Sequence, residues 1–306
     1  MGRIRVGTSG YVYKHWRNLL YQGVPPSKWL ERYAQVFDTV ELNATFYRLP
    51  SASMVDGWRE RTPRGFLFAC KGSRYITHMK RLKDPGPGLQ RYFEVVLRLG
   101  PKLGPILWQL PPQMNRPDLA RLDDFLASVP RDLRHAVEFR SAAWYTDEVC
   151  EVLDRHRAAF CEHDLVDRAP PAHTGGWRYV RFHGATGKYR GRYGRTALRK
   201  WARDLKGDGR DAYVYFNNDT HGHAVQDALD LSELLDQLPR ERCAGGGVRA
   251  RVATGAASER GRRPGTPCRG AARCGSSGQR APPGGCRPAG TPEERAGSTR
   301  GTGRGP

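Results

Sequence analysis

From residue 4 to residue 238 the chain alternates two hydrophobic rhythms. Short apolar, β-branched or aromatic runs of period two predict eight strands, at 4–8, 39–43, 66–71, 105–110, 135–140, 159–164, 177–183 and 212–217. Amphipathic stretches between them predict helices over 27–37, 89–99, 119–129, 147–157 and 197–205, with a closing helix over 224–238. Such alternation implies parallel strands joined by right-handed crossovers, and eight units in about 235 residues is the size of an α/β (β/α)8 barrel of the TIM type. An open doubly wound sheet is the competing arrangement. The sixth unit is irregular, because 165–176, with Pro170, Pro171, Gly175 and Gly176, reads as a loop where a helix is expected.

Within strands, residues two apart share a face, so the apolar set identifies the polar set on the opposite side. Packing Val40, Leu42, Val137, Phe139, Val180, Phe182, Val214 and Phe216 outward sends Glu41, Asn43, Glu138, Arg140, Arg181, His183, Tyr215 and Asn217 inward. Burying a charge without a partner costs several kcal/mol, so recurrence of such groups at one height calls for a role. Barrel active sites form at the C-terminal strand ends, where Ser9, Lys71, Gln109 and Asp164 also fall. The alternative is a self-compensating ion network, Glu138 with Arg140 and Glu41 with Lys71, that holds the barrel top together.

These groups suggest acid/base chemistry. Glu41, Glu138 and His183 are the candidate catalytic residues, with the two glutamates as acid and base if neighbouring cations separate their pKa values. Lys71, Arg140 and Arg181 suit an anion, and Ser9, Tyr11, Asn43, Gln109, Asn217 and Asn218 suit the hydroxyls, amides or ring of a substrate. A divalent metal could be held by Glu41, Glu138, Asp164 and His183, but three neighbouring cations oppose it, and no metal ligand is assigned. Trp108, Tyr11, Tyr47, Trp144, Tyr189 and Tyr193 lie in or beside the expected mouth loops as candidates for a stacking wall. The loop 187–195, Gly-Lys-Tyr-Arg-Gly-Arg-Tyr-Gly-Arg, reads either as a solvated loop or as an anion-gripping lid.

The formal net charge of +20 separates into two equal parts. Residues 240–306 hold 14 Arg and 4 Glu, a net of +10, which leaves 37 bases against 27 acids in the body. The body is therefore basic enough to favour an anionic partner. From Glu241 onward there is no Leu, Ile, Met, Phe, Tyr, Trp, Lys, His, Asp or Asn, so 239–306 is expected to be a disordered basic tail attached to a barrel domain over 1–238. Its ten-letter alphabet is what a GC-rich gene yields in a shifted frame, which makes a frameshift near Cys243 an expectation. Seven cysteines without a CxxC pair, no signal peptide and no apolar run of about 18 residues predict reduced thiols in a cytoplasmic protein without a membrane span.

The strand-end motifs Gly7-Thr8-Ser9-Gly10-Tyr11, Glu41-Leu42-Asn43-Ala44-Thr45-Phe46-Tyr47, Phe68-Ala69-Cys70-Lys71, Gln109-Leu110-Pro111-Pro112, Glu138-Phe139-Arg140, Arg181-Phe182-His183-Gly184 and Tyr215-Phe216-Asn217-Asn218 resemble, in order, those of the YecE-like family, domain of unknown function 72. The resemblance implies a TIM-type barrel over 1–238 and brings no established reaction. Two departures touch one pocket wall: Tyr11 stands where Trp is common, and Ser141-Ala142-Ala143 replaces a frequent His-Pro-Ser. The leading functional expectation is an enzyme of hydrolase or isomerase type acting on an anionic, ring-bearing small or oligomeric substrate. The alternatives are a nucleic-acid-binding protein or metal-dependent nuclease, and a non-catalytic ligand-sensing barrel.

Overall fold

The computed structural model describes residues 2–239; all of the expected tail 239–306 except Pro239, with its four cysteines and the proposed frame change, lies outside the described residues. The chain is an α/β fold of parallel strands. In order it runs β1 (Ile4–Thr8), α1 (Trp29–Ala34), β2 (Thr39–Leu42), α2 (Ala44–Tyr47), α3 (Ala52–Glu60), β3 (Leu67–Lys71), α4 (Gly86–Val96), β4 (Leu103–Gln109), α5 (Leu119–Ala127) and β5 (His135–Glu138). It continues through α6 (Asp147–Arg155), β6 (Ala159–Phe160), β7 (Glu162–His163), β8 (Arg178–Phe182), α7 (Arg195–Asp208), β9 (Ala212–Phe216) and α8 (His223–Gln237). The predicted strands occur, β1 with the same bounds, β4 beginning two residues earlier, the sixth divided into β6 and β7 and the others trimmed, and 165–176 contains no helix. Helices α2 and α3 were not expected. Ser51 starts α3 by accepting the Met54 N–H at 3.2 Å, and Asp118 and Thr146 cap α5 and α6 in the same way.

The strands form two parallel sheets, ordered β1-β9-β8-β7 and β2-β3-β4-β5-β6, where the sequence predicts one ring of eight. Each seam has a physical cause. Between β1 and β2 the Tyr33 hydroxyl is inserted, accepting the Thr8 N–H at 3.0 Å and donating to the Thr39 carbonyl at 3.1 Å, so backbone pairing begins only at the Ser9–Glu41 bridge. Gly7 faces Thr39 so closely that a Cβ there would lie 2.3 Å from its carbonyl oxygen. At the other seam the sixth strand divides at Cys161, whose N–H bonds Val137 while Glu162 and His163 turn to pair with β8.

Apolar residues on one face of the sheets pack under the helices, for example Val40, Phe68, Trp108, Val137, Val180 and Val214. The opposite faces share a second cluster that includes Ala69, Leu107, Ala136, Cys161, Tyr179 and Tyr215. Thr39 and Tyr215 join the two sheets through their hydroxyls at 2.7 Å within it. Beneath, Arg134 lies 5.6 Å from the rings of both Trp177 and Tyr213 and bonds Asp211 at 2.6 Å. One end of the interior is thus filled by aromatic rings, which leaves the C-terminal strand ends for the charged layer. Among the described residues no helix is long and apolar enough to cross a membrane, and Cys70, Cys150 and Cys161 are buried free thiols.

Candidate functional site

The charged layer is built around Arg181 of β8. Its Nη2 lies 2.8 Å from Glu41 of β2 and its Nη1 lies 2.6 Å from Glu138 of β5, all three wholly buried. Most remaining carboxylate valences are also occupied, whereas Glu138 Oε1 is ion-paired without a hydrogen bond. Glu41 accepts the Tyr179 hydroxyl at 2.8 Å and the Ser9 hydroxyl, which itself accepts from Asn43 at 3.0 Å. Glu138 accepts Gln109 Nε2 at 3.1 Å and pairs with the Arg140 guanidinium. Burial alone would raise both carboxyl pKa values, but Arg181 with Lys71 at Glu41, and Arg181 with Arg140 at Glu138, outweigh it and hold both below the usual range. Both glutamates are therefore ionised at neutral pH, so the expected division into acid and base does not arise between them. The compensated network expected as the alternative is present in part, with Arg181 at its centre.

Lys71, at the end of β3, departs from that network. The expected Glu41–Lys71 ion pair is absent: among the described residues Lys71 Nζ has neither a carboxylate within 4.0 Å nor a hydrogen-bond acceptor, and its neighbour is the Phe46 ring at 4.3 Å. The side chain is 7% exposed, so its charge is largely desolvated. Burial, with Arg181 nearby, lowers its pKa to about 8. His78 packs edge-on against Phe46 at 5.0 Å, and its own pKa falls to about 4 through burial and the adjacent Lys71 and Arg74.

His183 closes the other side. Its Nδ1 is 3.2 Å from Asp164, which also accepts the His183 backbone N–H at 2.9 Å and the Tyr193 hydroxyl. Its Nε2 is 3.2 Å from Arg181 and 3.3 Å from Arg140. Guanidinium groups only donate, so Nε2 carries the lone pair and the ring proton faces Asp164. Burial lowers the His183 pKa to about 4 against the opposing Asp164 bond, leaving a neutral ring at pH 7. Tyr189, on the 184–194 loop, lays its ring 5.8 Å from His183. Gly184 starts that loop at φ 135°, where a Cβ would meet the Gly187 and Arg190 backbone at 2.3–2.6 Å.

Glu138, His163 and His183 bring one donor atom each within 4.8 Å of one another, whereas Glu41 and Asp164 of the expected metal set fall outside that group. The donors are committed elsewhere. His163 Nε2 meets the Phe139 carbonyl at 2.8 Å and its Nδ1 accepts the Leu165 N–H at 3.2 Å. The His183 lone pair faces two guanidinium groups, so a divalent ion would have to displace Arg140 and Arg181 from Glu138. The residues present do not suit a metal.

Ser9, Glu41, Asn43, Gln109, Glu138, Arg140, Arg181 and His183 thus meet in one cluster, with Lys71 beside it. Three expected residues differ. The Asn218 amide points outward, donating to Asp227 at 2.7 Å and Gly191 at 2.9 Å. Gly10, at φ 98°, turns the chain outward, and Tyr11 packs its ring 6.1 Å from Tyr33. Tyr13 returns over the site in its place, donating to the Ser9 carbonyl at 2.7 Å. Asn217 is half-buried at the end of β9, its backbone N–H bonded to Phe182, and its side chain has no hydrogen bond to the cluster. Trp108 and Trp144, expected near a stacking wall, are core residues against Phe125 and Phe139. Tyr179 and His163 were missed although their strand parity with Arg181 and Cys161 marks them. His78 carries no such signal, since only packing on Phe46 brings it in.

A sequence model described as "Protein of unknown function DUF72" matches residues 5–246. The UPF0759 protein YecE of Escherichia coli K12 is 31% identical over 137 residues, which is 42% of this chain and half of that protein's length. The UPF0759 protein YunF of Bacillus subtilis 168 is 28% identical over 68% of this chain and 87% of its own. A crystal structure of a DUF72 family protein from Thermotoga maritima superposes with a TM-score of 0.67 at 29% identity, covering 77% of this chain and all of that one. Another, from Enterococcus faecalis, gives 0.64 at 18% identity over 77% of this chain and 96% of that one and shares the fold.

Proposed function

The chain belongs to the DUF72 family of proteins of unknown function, and on that footing we propose that it is an enzyme that seats an anionic group of its substrate against Lys71 and Arg140. The observation that carries this reading is the desolvated Lys71 ammonium, which has no counter-ion among the described residues although every other buried charge of the layer is paired. A ligand carboxylate or phosphate would supply the missing charge and relieve the cost of burial. On this reading the two sheets act as one closed TIM-type barrel, sealed at one seam by Tyr33 and at the other by the divided sixth strand.

The chemistry follows from the protonation states. Glu138, ionised and within reach of Lys71's field, acts as base. Lys71, whose ammonium form a bound anion favours, stabilises the negative charge that develops on the substrate, and Glu138 gives the proton back to the product. His183, fixed in one tautomer by Asp164, accepts from the two arginines and keeps them aimed at Glu138. Glu41 anchors Arg181. The exposed Tyr47 and the Tyr189 ring offer flat surfaces to a ring-bearing substrate in a hydrolysis or isomerisation. Buried, unbridged thiols accord with a cytoplasmic setting.

Thermal unfolding of the full chain with and without inorganic phosphate tests the pocket. A rise in Tm for the wild type that is lost in Lys71→Met and in Arg140→Gln supports the reading. Equal shifts in all three place the anion elsewhere and sink it.

A further inference from the structure

We propose that the surface around the charged layer binds a single-stranded nucleic acid, with the 72–85 and 184–194 loops gripping its phosphates. The inference goes beyond the anion reading of the pocket. It rests on an asymmetry between the two ends of the fold. At the N-terminal strand ends five arginines hold carboxylates, Arg3 with Asp38, Arg61 with Glu31, Arg134 with Asp211, Arg155 with Asp123 and Arg210 with Asp208, at 2.6–3.4 Å, while Arg64 and Arg131 there make no ion pair among the described residues but are scattered rather than clustered on one loop. At the C-terminal ends, Arg74, Lys80, Arg81 and Lys83 lie within fourteen residues whose one acid is Asp84, and Lys188 and Arg190 lie on the opposing loop. Among the described residues none of these six bases makes an ion pair, and all but the half-buried Lys80 are exposed.

Solvated cations alone would suit any polyanion, so the aromatic residues decide the class. Tyr47, Tyr75 and Tyr189, 71%, 44% and 38% exposed, stand in the segments that follow β2, β3 and β8, the strands whose ends surround Lys71 and His183. Rings interleaved with unpaired bases offer stacking for splayed bases beside phosphate contacts, as single-strand surfaces do. A duplex has no base faces to give. An acidic bilayer would call for a continuous aliphatic face, and here the exposed Met79 stands between His78 and Lys80, on a different loop from the exposed Val12. The backbone supports the same loops: Arg81, Leu82, Asp84 and Tyr189 hold φ between 42° and 66°, a conformation that costs free energy and persists where neighbours enforce it.

The test uses the full chain, because 240–306 carries fourteen arginines that will themselves attract nucleic acid. A labelled 12-mer containing 4-thiouridine is crosslinked by long-wavelength light and the crosslinked peptides are mapped by mass spectrometry. The inference expects crosslinks in 72–85 and 184–194. It also expects Arg81→Glu/Lys83→Glu/Lys188→Glu to weaken binding at least tenfold and flatten the log K against log salt slope by about two. Arg64→Glu/Arg131→Glu, at the other end, should leave binding unchanged. Crosslinks confined to 240–306, equal binding by the triple variant, or stronger binding to phosphatidylserine vesicles than to the strand would overturn it. Lys71→Met should retain these crosslinks while losing the phosphate-induced Tm shift, so failure of the pocket reading and failure of this one are told apart.

Discussion

Arg181 and Glu138 meet at 2.6 Å with neither side chain exposed to solvent, and the same guanidinium spans to Glu41 at 2.8 Å. One cation on β8 therefore compensates two carboxylates, on β2 and β5, that both belong to the other sheet, and the fold's two halves are coupled through it. Tyr179, two residues earlier on β8, secures the second carboxylate from below.

Arg181→Met removes that compensation and leaves two buried negative charges. Unfolding by urea should show a loss of about 3–5 kcal/mol. Replacing all three groups, as Glu41→Gln/Glu138→Gln/Arg181→Met, should recover much of the loss. A single variant as stable as the wild type contradicts the coupling.

Stability should fall in acid in two stages. His183 has a folded pKa of about 4, below its ordinary value near 6.5, so the unfolded chain takes up its proton first and stability declines as pH drops between those values. Glu41 and Glu138 have depressed folded pKa values, so their contribution is complete above about 4.5 and is lost as pH falls through the folded values. Denaturation midpoints measured from pH 7 to pH 3 check the sign. A flat profile would mean that these groups do not differ between the folded and unfolded chain.

Lys71→Met should leave stability unchanged or raise it by up to about 3 kcal/mol at pH 7, because the charged amine is disfavoured by burial. The sign of the pH dependence is distinctive. The folded pKa is depressed, so the penalty is full below about 8 and fades as pH rises toward the ordinary value of 10.5. The stability difference between variant and wild type should shrink over that range, as read by urea titration at pH 7, 9 and 10.5. A constant difference rules the titration out.

Much of the site was legible because strand parity is a rigid rule. Glu41, Glu138, Arg181 and His183 each lie next to an apolar outward residue, with Arg181 and His183 two apart on one face, and a parallel sheet brings such positions to one height. Parity alone cannot give pairing. The sequence offered Lys71 as a partner for Glu41, whereas Arg181 is long enough to reach both carboxylates and leaves Lys71 against Phe46. Loop residues were the least legible. Gly10 reverses the direction of Tyr11 through a positive φ that composition does not reveal, and Asn218 lies two residues beyond β9, where parity no longer governs. The seam at Tyr33 was likewise hidden, since a tyrosine at a buried helix position reads as packing until its hydroxyl is seen between two strands.

The direct measurement is the titration of Lys71 itself, by NMR of the side-chain amine in isotopically labelled full-length protein, assigned with Lys71→Met, with and without inorganic phosphate. The account predicts a pKa near 8 in the free protein that moves toward 10.5 as phosphate occupies the site. A value near 10.5 that phosphate does not change would mean that Lys71 already has its counter-ion, and the anion site would be refuted.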